Sequence, residues 1–259
     1  MLAHILLLAI SPPSPRSMCV GKVLSRDHAA VLEMKWPADA FVRAPTLGVY
    51  MGMRTTDLST CLAVWRRWPR APVWMHQCPI EDRMVLTIGQ PEAVALGVPT
   101  RVEVRMSHAF RLDALQIPAQ GVERSAGRTE LRRDVALRMM QALSKAHQDV
   151  WTLQCTTRGL VCVRTGDEEG CVFPVRRVRM RRSSLCPTVQ TKVNNLVKLT
   201  QVLQRGSASV LVGLTPHKPL AIEMSCKYMG RMRFFQAPRL DVDSNAETDS
   251  DTGVEAANT

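Results

Sequence analysis

The feature that most restricts the fold of this chain is a series of short strand-like runs separated by turn residues. Helical patterns occur only sparsely among them. From about residue 22 onwards, the apolar spacing predicts strands at 29–35, 46–51, 73–77, 84–88 and 102–109. Residues 54–68 instead place Leu58, Cys61, Leu62 and Trp65 at helical spacing. One amphipathic helix is therefore expected between the second and third strands.

The same order of elements returns after a break at residues 109–125. Pro118 and Gly121 argue against regular structure there, so this segment is predicted to be a linker. The pattern beyond it predicts a helix at 129–147, a hairpin of strands at 150–156 and 159–164, an arginine-rich edge strand within 171–182, a helix at 187–205, and strands at 209–214, 220–226 and 231–236. A chain of 259 residues with this repetition is expected to form two similar halves.

The two ends of the chain differ from the rest. Residues 1–10 form an apolar run that has no basic residues before it and is too short to span a bilayer. A buried strand or helix, or an unrelated leader, is therefore preferred to an export signal. Residues 241–259 are acidic, rich in Ser, Thr and Asp and without periodicity, which predicts a disordered tail.

The charge balance favours a polyanionic partner. The chain has 34 Lys and Arg against 23 Asp and Glu, a formal net charge of +11. Six of those acids lie in residues 241–259, so the rest of the chain is more basic still. A basic surface is compatible with DNA, RNA or an anionic membrane, and we prefer nucleic acid.

Sequence motifs for catalysis or metal binding are absent. The eight cysteines include no C-x-x-C pair and no His at zinc-finger spacing, so we interpret them as reduced, mostly buried thiols. There is no P-loop, H-E-x-x-H, G-x-S-x-G or dinucleotide fingerprint, and the six histidines are dispersed. We therefore expect no enzyme activity, no catalytic residue, no metal and no cofactor.

One stretch carries a specific resemblance. Residues 219–239 read Pro-Leu-Ala-Ile-Glu-Met-Ser-Cys-Lys-Tyr-Met-Gly-Arg-Met-Arg-Phe-Phe-Gln-Ala-Pro-Arg. This closely resembles the C-terminal strand pair and the ending of eukaryotic proliferating cell nuclear antigen (PCNA), a family of DNA sliding clamps. More weakly, Leu-Gln-Ile-Pro at 115–118 resembles the family's connecting loop, and 23–32 around His28 resembles the strand and loop with its pocket histidine. The resemblance covers about residues 20–240; residues 1–20 do not resemble the family's first strand and basic helix.

The resemblance implies an α+β fold, a two-domain DNA clamp with antiparallel sheets outside and helices lining a central hole. It divides the chain into a divergent N-terminal segment (1–20), a first clamp domain that is incomplete relative to the family (21–108), an interdomain connecting loop (109–125), a second clamp domain (126–240) and the acidic disordered tail (241–259).

The resemblance also implies three sets of site residues. The residues expected to face DNA are Arg66, Arg67, Arg70, Arg138, Lys145, Lys192, Lys198 and Arg205, although a basic helix stripe is also what any solvated helix face shows. The residues expected to form a partner-peptide pocket are His28, Val31, Leu115, Ile117, Pro118, Pro219, Phe235, Ala237, Pro238 and Arg239. The residues expected at a subunit interface are Val102, Val104, Met106, Cys171, Phe173, Val175 and Arg177, on edges at 102–108 and 171–178.

The implied function is that of a nuclear, homotrimeric DNA sliding clamp. Such a ring encircles double-stranded DNA without reading its sequence, acts as a DNA polymerase processivity factor in replication and repair, and docks polymerase, clamp loader, nucleases and ligases through short hydrophobic peptide motifs. No membrane partner is expected. The alternatives are a subunit of a checkpoint-type heterotrimeric clamp, or a basic DNA-binding relative that no longer forms rings.

Overall fold

The computed structural model describes most of both halves of the chain. The described residues are 5–10, 18–25, 27–37, 49–56, 59, 63, 73–77, 83–88, 100–105, 117–118, 121–144, 150–164, 170–181, 186–192, 194–206, 209–226 and 230–239. The tail predicted to be disordered, at 241–259, lies outside them.

The described residues of the first half form seven strands and a few helical positions. They are β1 (Ile5–Ile10), β2 (Met18–Leu24), β3 (Ala30–Pro37), β4 (Val49–Arg54), β5 (Val73–Gln77), β6 (Arg83–Ile88) and β7 (Thr100–Arg105). Within the helix expected at 54–68, the described residues 55, 56, 59 and 63 are helical. The apolar run at the N-terminus forms β1, which pairs antiparallel with β2 on one side and β4 on the other. This segment therefore contributes an inner strand of a sheet.

The described residues of the second half form nine strands and four helical segments. The strands are β8 (Gly127–Arg132), β9 (Val150–Thr156), β10 (Gly159–Arg164), β11 (Gly170–Phe173), β12 (Arg177–Met180), β13 (Thr188–Lys192), β14 (Ser209–Leu214), β15 (Leu220–Cys226) and β16 (Gly230–Gln236). The helices are a 3₁₀ turn (Val122–Arg124), α1 (Arg133–Ser144), α2 (Asn194–Val197) and α3 (Thr200–Gly206).

The described strands are paired antiparallel, in three sheets. A nine-stranded sheet has the order β12-β8-β14-β15-β16-β3-β2-β1-β4, a four-stranded sheet the order β11-β10-β9-β13, and a three-stranded sheet the order β5-β6-β7. The pairing of β16 with β3 runs from Arg231 opposite Lys35 to Gln236 opposite Ala30. This seam joins the two halves of the chain into one continuous sheet.

The two halves repeat the same arrangement of strands. The group β3-β2-β1-β4 has the same order along the chain and across the sheet as β11-β10-β9-β13. The meander β5-β6-β7 corresponds to β14-β15-β16, and helical residues precede each meander. Counterparts of β8, α1 and β12 are not found among the described residues of the first half.

The main core lies between the nine-stranded sheet, the four-stranded sheet and the helices. Leu131 of β8, Met139 and Leu143 of α1, and Leu153 of β9 are all fully buried there. Removing such side chains from water is the dominant stabilising contribution, about 1.5–3 kcal/mol for each one fully buried. Because this core contains residues of both the helices and the nine-stranded sheet, the helices lie on one face of that sheet. The opposite face of the sheet does not take part in this core.

Three sequence predictions of element type or extent were wrong. The helix predicted at 129–147 begins only at Arg133, because burial alternates along β8 with a period of two. The helix predicted at 187–205 begins only at Asn194, and its first residues form β13. The run predicted as one strand at 171–182 is split, since Pro174 has no N–H to donate after β11 ends at Phe173.

Within the described residues, no helix combines the length and the apolar character needed to cross a membrane.

Candidate functional site

Arg138 lies on the solvent-facing side of α1. Of the residues predicted to face DNA, it is the one on this helix that the structure describes. Val135, Met139 and Leu143 of α1 are buried, and Arg138 is exposed on the other side. Its guanidinium lies 3.7 Å from the Asp134 carboxylate one turn earlier, an exposed pair worth a few tenths of a kcal/mol. Arg138 is therefore available to an external anion at little cost.

The basic residues around α2 and α3 are placed differently from the prediction. Lys192 is not on a helix but ends β13, where it is exposed, because the alternation of buried Val189 and Thr191 makes that segment a strand. Lys198 follows α2, is exposed, and donates from Nζ to Asn195 Oδ1 at 3.1 Å. Arg205 lies on α3.

Several predicted site residues lie outside the described residues. They are Arg66, Arg67, Arg70 and Lys145 of the DNA-facing set, Leu115 of the pocket and Met106 of the interface.

The loop between β2 and β3 is held in place by a network centred on Asp27. The hydroxyl of Ser25 and the amide of Asn195 both donate to the Asp27 carboxylate, Asn195 at 3.2 Å to each oxygen. Partial burial raises the pKa of Asp27, but hydrogen bonds from Ser25, the Ala29 amide and Asn195 outweigh it, so the net pKa is lowered from 3.8. This network ties the first half to α2 of the second half.

His28 projects from this loop. It is exposed and has a φ of 56°, the left-handed conformation that His tolerates better than most residues. Val31, on β3 opposite Phe235 of β16, is half-buried. Of the two residues predicted for the pocket from the first half, Val31 therefore lies in the seam between β3 and β16, and His28 lies in the loop just before β3.

A small apolar cluster lies at the same seam, on the face of the nine-stranded sheet away from the helices. Val122, Ala221 and Phe235 are buried in it, and Ile117 and Leu211 pack against it half-buried. Ile117 and Phe235 were both predicted for the pocket, and the structure brings them together. Pro118 and Pro219 are half-buried.

The segment after β16 leaves the seam along main-chain hydrogen bonds. The Ala237 amide donates to the Ala29 carbonyl at 2.7 Å, and the Arg239 amide donates to the Gln190 carbonyl at 2.9 Å. Ala237 and Arg239 are exposed, and Pro238 is half-buried. An apolar cluster beside an exposed extended segment is an arrangement that suits binding of a short hydrophobic peptide.

The residues predicted at an interface fall on strands at the edges of sheets. Val102 and Val104 are in β7, which is an edge of the three-stranded sheet among the described strands. Cys171 and Phe173 are in β11, an edge of the four-stranded sheet, while Arg177 is in β12, an edge of the nine-stranded sheet. Val175 lies in the connection between them. The single edge predicted at 171–178 is therefore two edges of different sheets.

The sequence prediction missed several residues at these sites. Val172 of β11 is 57% exposed, and it is the one large apolar side chain in the described part of the chain that is so exposed. At the seam, Arg233 donates from Nε to buried Glu33 at 2.6 Å, and between β15 and β16 Arg231 donates to buried Glu223 at 2.6 Å. Only the register of β16 against β3 shows the pair of Arg233 with Glu33, because these residues are 200 positions apart in sequence.

In the part of the chain that the structure describes, no group of three His, Cys, Asp or Glu side chains is placed to hold a metal ion. The expectation of no metal and no cofactor stays a prediction.

Two comparisons found no match: no protein-family model matches the chain, and neither does any curated protein sequence. Solved structures do match. One is the crystal structure of Proliferating Cellular Nuclear Antigen from Entamoeba histolytica, at 13% identity and a TM-score of 0.69. Another is the crystal structure of the PCNA2–PCNA3 complex from Sulfolobus tokodaii, at 10% identity and a TM-score of 0.69. Each match covers 92% of this chain and 91% of the other. The chain thus has the PCNA clamp fold, which confirms the predicted fold class.

Proposed function

We propose that this chain is a subunit of a DNA sliding clamp, a non-enzymatic ring that encircles duplex DNA and tethers replication and repair enzymes to it. The observation that supports this best is the seam between β16 and β3. It joins β16, the last strand of one meander, to β3, the outer strand of the four-strand group β3-β2-β1-β4. The repeat contains a second such pair, β7 and β11, and both are edges among the described strands.

The repeat suggests how a ring would close. If β7 of one copy pairs with β11 of the next as β16 pairs with β3, each contact joins different edges of two chains, a head-to-tail arrangement that closes when the rotation fits. Unpaired strand edges are ready templates for such pairing. The exposed Val172 on β11 would be covered in this contact. Two-domain chains of this kind would give a trimer.

The helices would then line the hole. They lie on one face of the nine-stranded sheet, and Arg138 and Lys198 are exposed beside them. Arg66, Arg67, Arg70, Lys145, Lys192 and Arg205 complete the proposed DNA-facing set. Positive side chains facing phosphates, without a constellation that reads bases, are what a sequence-independent tether needs.

Partner enzymes would dock at the seam. The half-buried side chains Ile117 and Leu211, which pack on buried Val122 and Phe235, would contact a hydrophobic peptide. The segment at 237–239, whose Ala237 and Arg239 amides are already bonded within the chain, would border this site. We propose that polymerase, clamp loader, nucleases and ligases bind here through short hydrophobic motifs, in the nucleus.

Light scattering of the purified protein tests ring assembly. We expect a mass near three times the chain mass of 28.9 kDa. Val172→Asp should lower the mass to that of a single chain, because it buries a charge in the proposed contact. His217→Asp is the matched control and should leave the trimer intact. His217 is exposed in the β14–β15 turn, outside the edge strands, and its φ of 58° is a conformation that Asp also tolerates.

A single-chain mass for the wild-type protein at all concentrations would contradict the homotrimer. Recovery of a ring only after a second clamp-type chain is added would favour the heterotrimeric alternative. The PCNA2–PCNA3 structure, a complex of two different chains, makes that alternative worth testing.

A further inference from the structure

A group of arginines covers the edge of the nine-stranded sheet at β8 and β12. We define the arginine patch as Arg128, Arg177, Arg179 and Arg181. Arg179 lies directly opposite Arg128 in the register of the two strands, and Arg177 lies opposite Glu130. Arg128, Glu130, Arg177 and Arg179 line an open depression.

This patch has too little negative charge of its own. Among the described residues, Glu130 is the one acid lining the depression, and Arg176 also approaches it, at 4.0 Å. Like charges directly opposite each other on neighbouring strands are destabilising. The arrangement is therefore expected to gain stability from an external anion.

The patch faces away from the helices. Thr129 and Leu131 of β8 are buried on the core side, where α1 packs, whereas Arg128 and Glu130 alternate with them on the opposite face. The DNA-facing role proposed for the helix side therefore does not account for the arginine patch.

The C-terminal segment leads towards this patch. The Thr191 hydroxyl donates to the Ala237 carbonyl at 3.1 Å, and the Arg239 amide donates to the Gln190 carbonyl at 2.9 Å. The segment thus runs antiparallel to β13, towards Pro187 just before that strand. A Cβ at Gly127 would lie 2.9 Å from Pro187 Cγ, and Gly127 pairs with Met180 of β12.

The sequence that follows has the complementary charge. Residues 241–259 contain six acids and no Lys or Arg. β16 and β12 are four strand spacings apart, about 19 Å at about 4.8 Å each. A random-coil chain of about ten residues has a root-mean-square span of about 17 Å, so the length of sequence between Arg239 and Asp249 would be sufficient to reach the patch.

We propose that the acidic tail, residues 241–259, folds back past β13 and binds the arginine patch of its own chain through ion pairs between its carboxylates and the guanidinium groups. Tethering gives the tail an effective concentration in the millimolar range, which is enough for a weak electrostatic contact to be populated. The tail would thereby exclude other acidic segments from this face of the protein.

Zero-length carbodiimide cross-linking of the full-length protein tests the proposal. Arg179→Lys keeps the charge and introduces an amine that can form an amide with a nearby carboxylate. Mass spectrometry should find this amine joined to tail carboxylates. The yield of this cross-link should fall as salt is added. It should also fall when Arg177→Gln and Arg181→Gln are added to the Arg179→Lys variant. The matched control is Arg138→Lys, an exposed position on α1 and so on the opposite side of the nine-stranded sheet, which should give a severalfold lower yield.

Equal yields from the two introduced amines would overturn the proposal. So would cross-links found only between chains in a mixture of ¹⁴N- and ¹⁵N-labelled protein. If the patch instead serves nucleic acid, Arg177→Gln with Arg181→Gln will weaken binding of a short duplex and leave the tail cross-links unchanged. That result would also overturn it.

Discussion

The ion pair between Glu33 and Arg233 crosses the seam that joins the two halves, so its loss should weaken the whole chain. Glu33 is only 4% exposed, and Arg233 donates to it from Nε at 2.6 Å and from a terminal nitrogen. We consider Glu33→Gln, which keeps the size of the side chain and removes its charge. The substitution leaves a mostly buried guanidinium without its anion.

The expected cost follows from the burial of both groups. Breaking a fully buried pair costs about 3–5 kcal/mol, because one charge remains uncompensated. The Arg233 side chain is 21% exposed, so water recovers part of that cost and we expect about 2–3 kcal/mol. For a chain of this size, 1 kcal/mol corresponds to about 2–4 °C in melting temperature. Glu33→Gln should therefore lower it by roughly 4–12 °C.

The assay is chemical and thermal unfolding, with Lys35→Gln as the matched control. Lys35 lies 3.6 Å from the same carboxylate but is 31% exposed, so its loss should cost less than about 1 kcal/mol. In a double-mutant cycle, Arg233→Met should cost little once Glu33→Gln is present. A cost for Glu33→Gln no larger than that of Lys35→Gln would refute the view that this pair stabilises the seam.

Three further predictions concern pH, thiol reactivity and DNA. The pKa of Asp27 is lowered on folding, so its contribution to stability is present above the unfolded pKa of 3.8 and is lost as pH falls through the folded pKa. The difference in unfolding free energy between wild type and Asp27→Asn, measured at several pH values, should therefore shrink on acidification. A difference that grows would contradict this. Burial raises the pKa of Cys19 and Cys155 to about 11 and that of Cys162 to about 12, so time-resolved alkylation at pH 8 should modify exposed Cys186 before these three buried thiols, and earlier labelling of the buried thiols would contradict the packing. The double variant Arg138→Glu and Lys198→Glu should weaken duplex binding and reduce its salt dependence. The control is Arg158→Glu with Lys218→Glu, which makes the same change of charge in two exposed strand turns. Equal effects of the two double variants would exclude a special role for the helix side.

Local periodicity predicted the strands well where neighbours in sequence also pair. The hairpin of β9 and β10 and the meander from β14 to β16 were predicted almost to the residue, because their alternation and turns lie within short segments. The sequence did not distinguish a strand from a helix at Thr188–Lys192, where Val189 and Thr191 suit a strand and the later apolar residues suit a helix. Tertiary pairing with β9 decided it.

The candidate sites depended on pairing that no local pattern contains. Ile117 and Phe235 were expected together only through the family resemblance, and the structure adds Val122 and Ala221 to their cluster. The link from Asp27 to Asn195 spans 168 positions and could not be read from either segment alone. Long-range register is therefore the information that the sequence lacked.

We propose above that the protein holds DNA by encircling it. The direct measurement uses a linear duplex that is fixed to a bead at one end. The protein is allowed to slide onto the duplex over its free end, and that end is then blocked. The bead is then washed in high salt. A closed ring should stay on the blocked duplex and leave at once when the duplex is cut, since it makes no tight contact with the phosphates. Loss of the protein in the wash whether or not the end is blocked would mean that it binds only by charge, and would contradict the clamp.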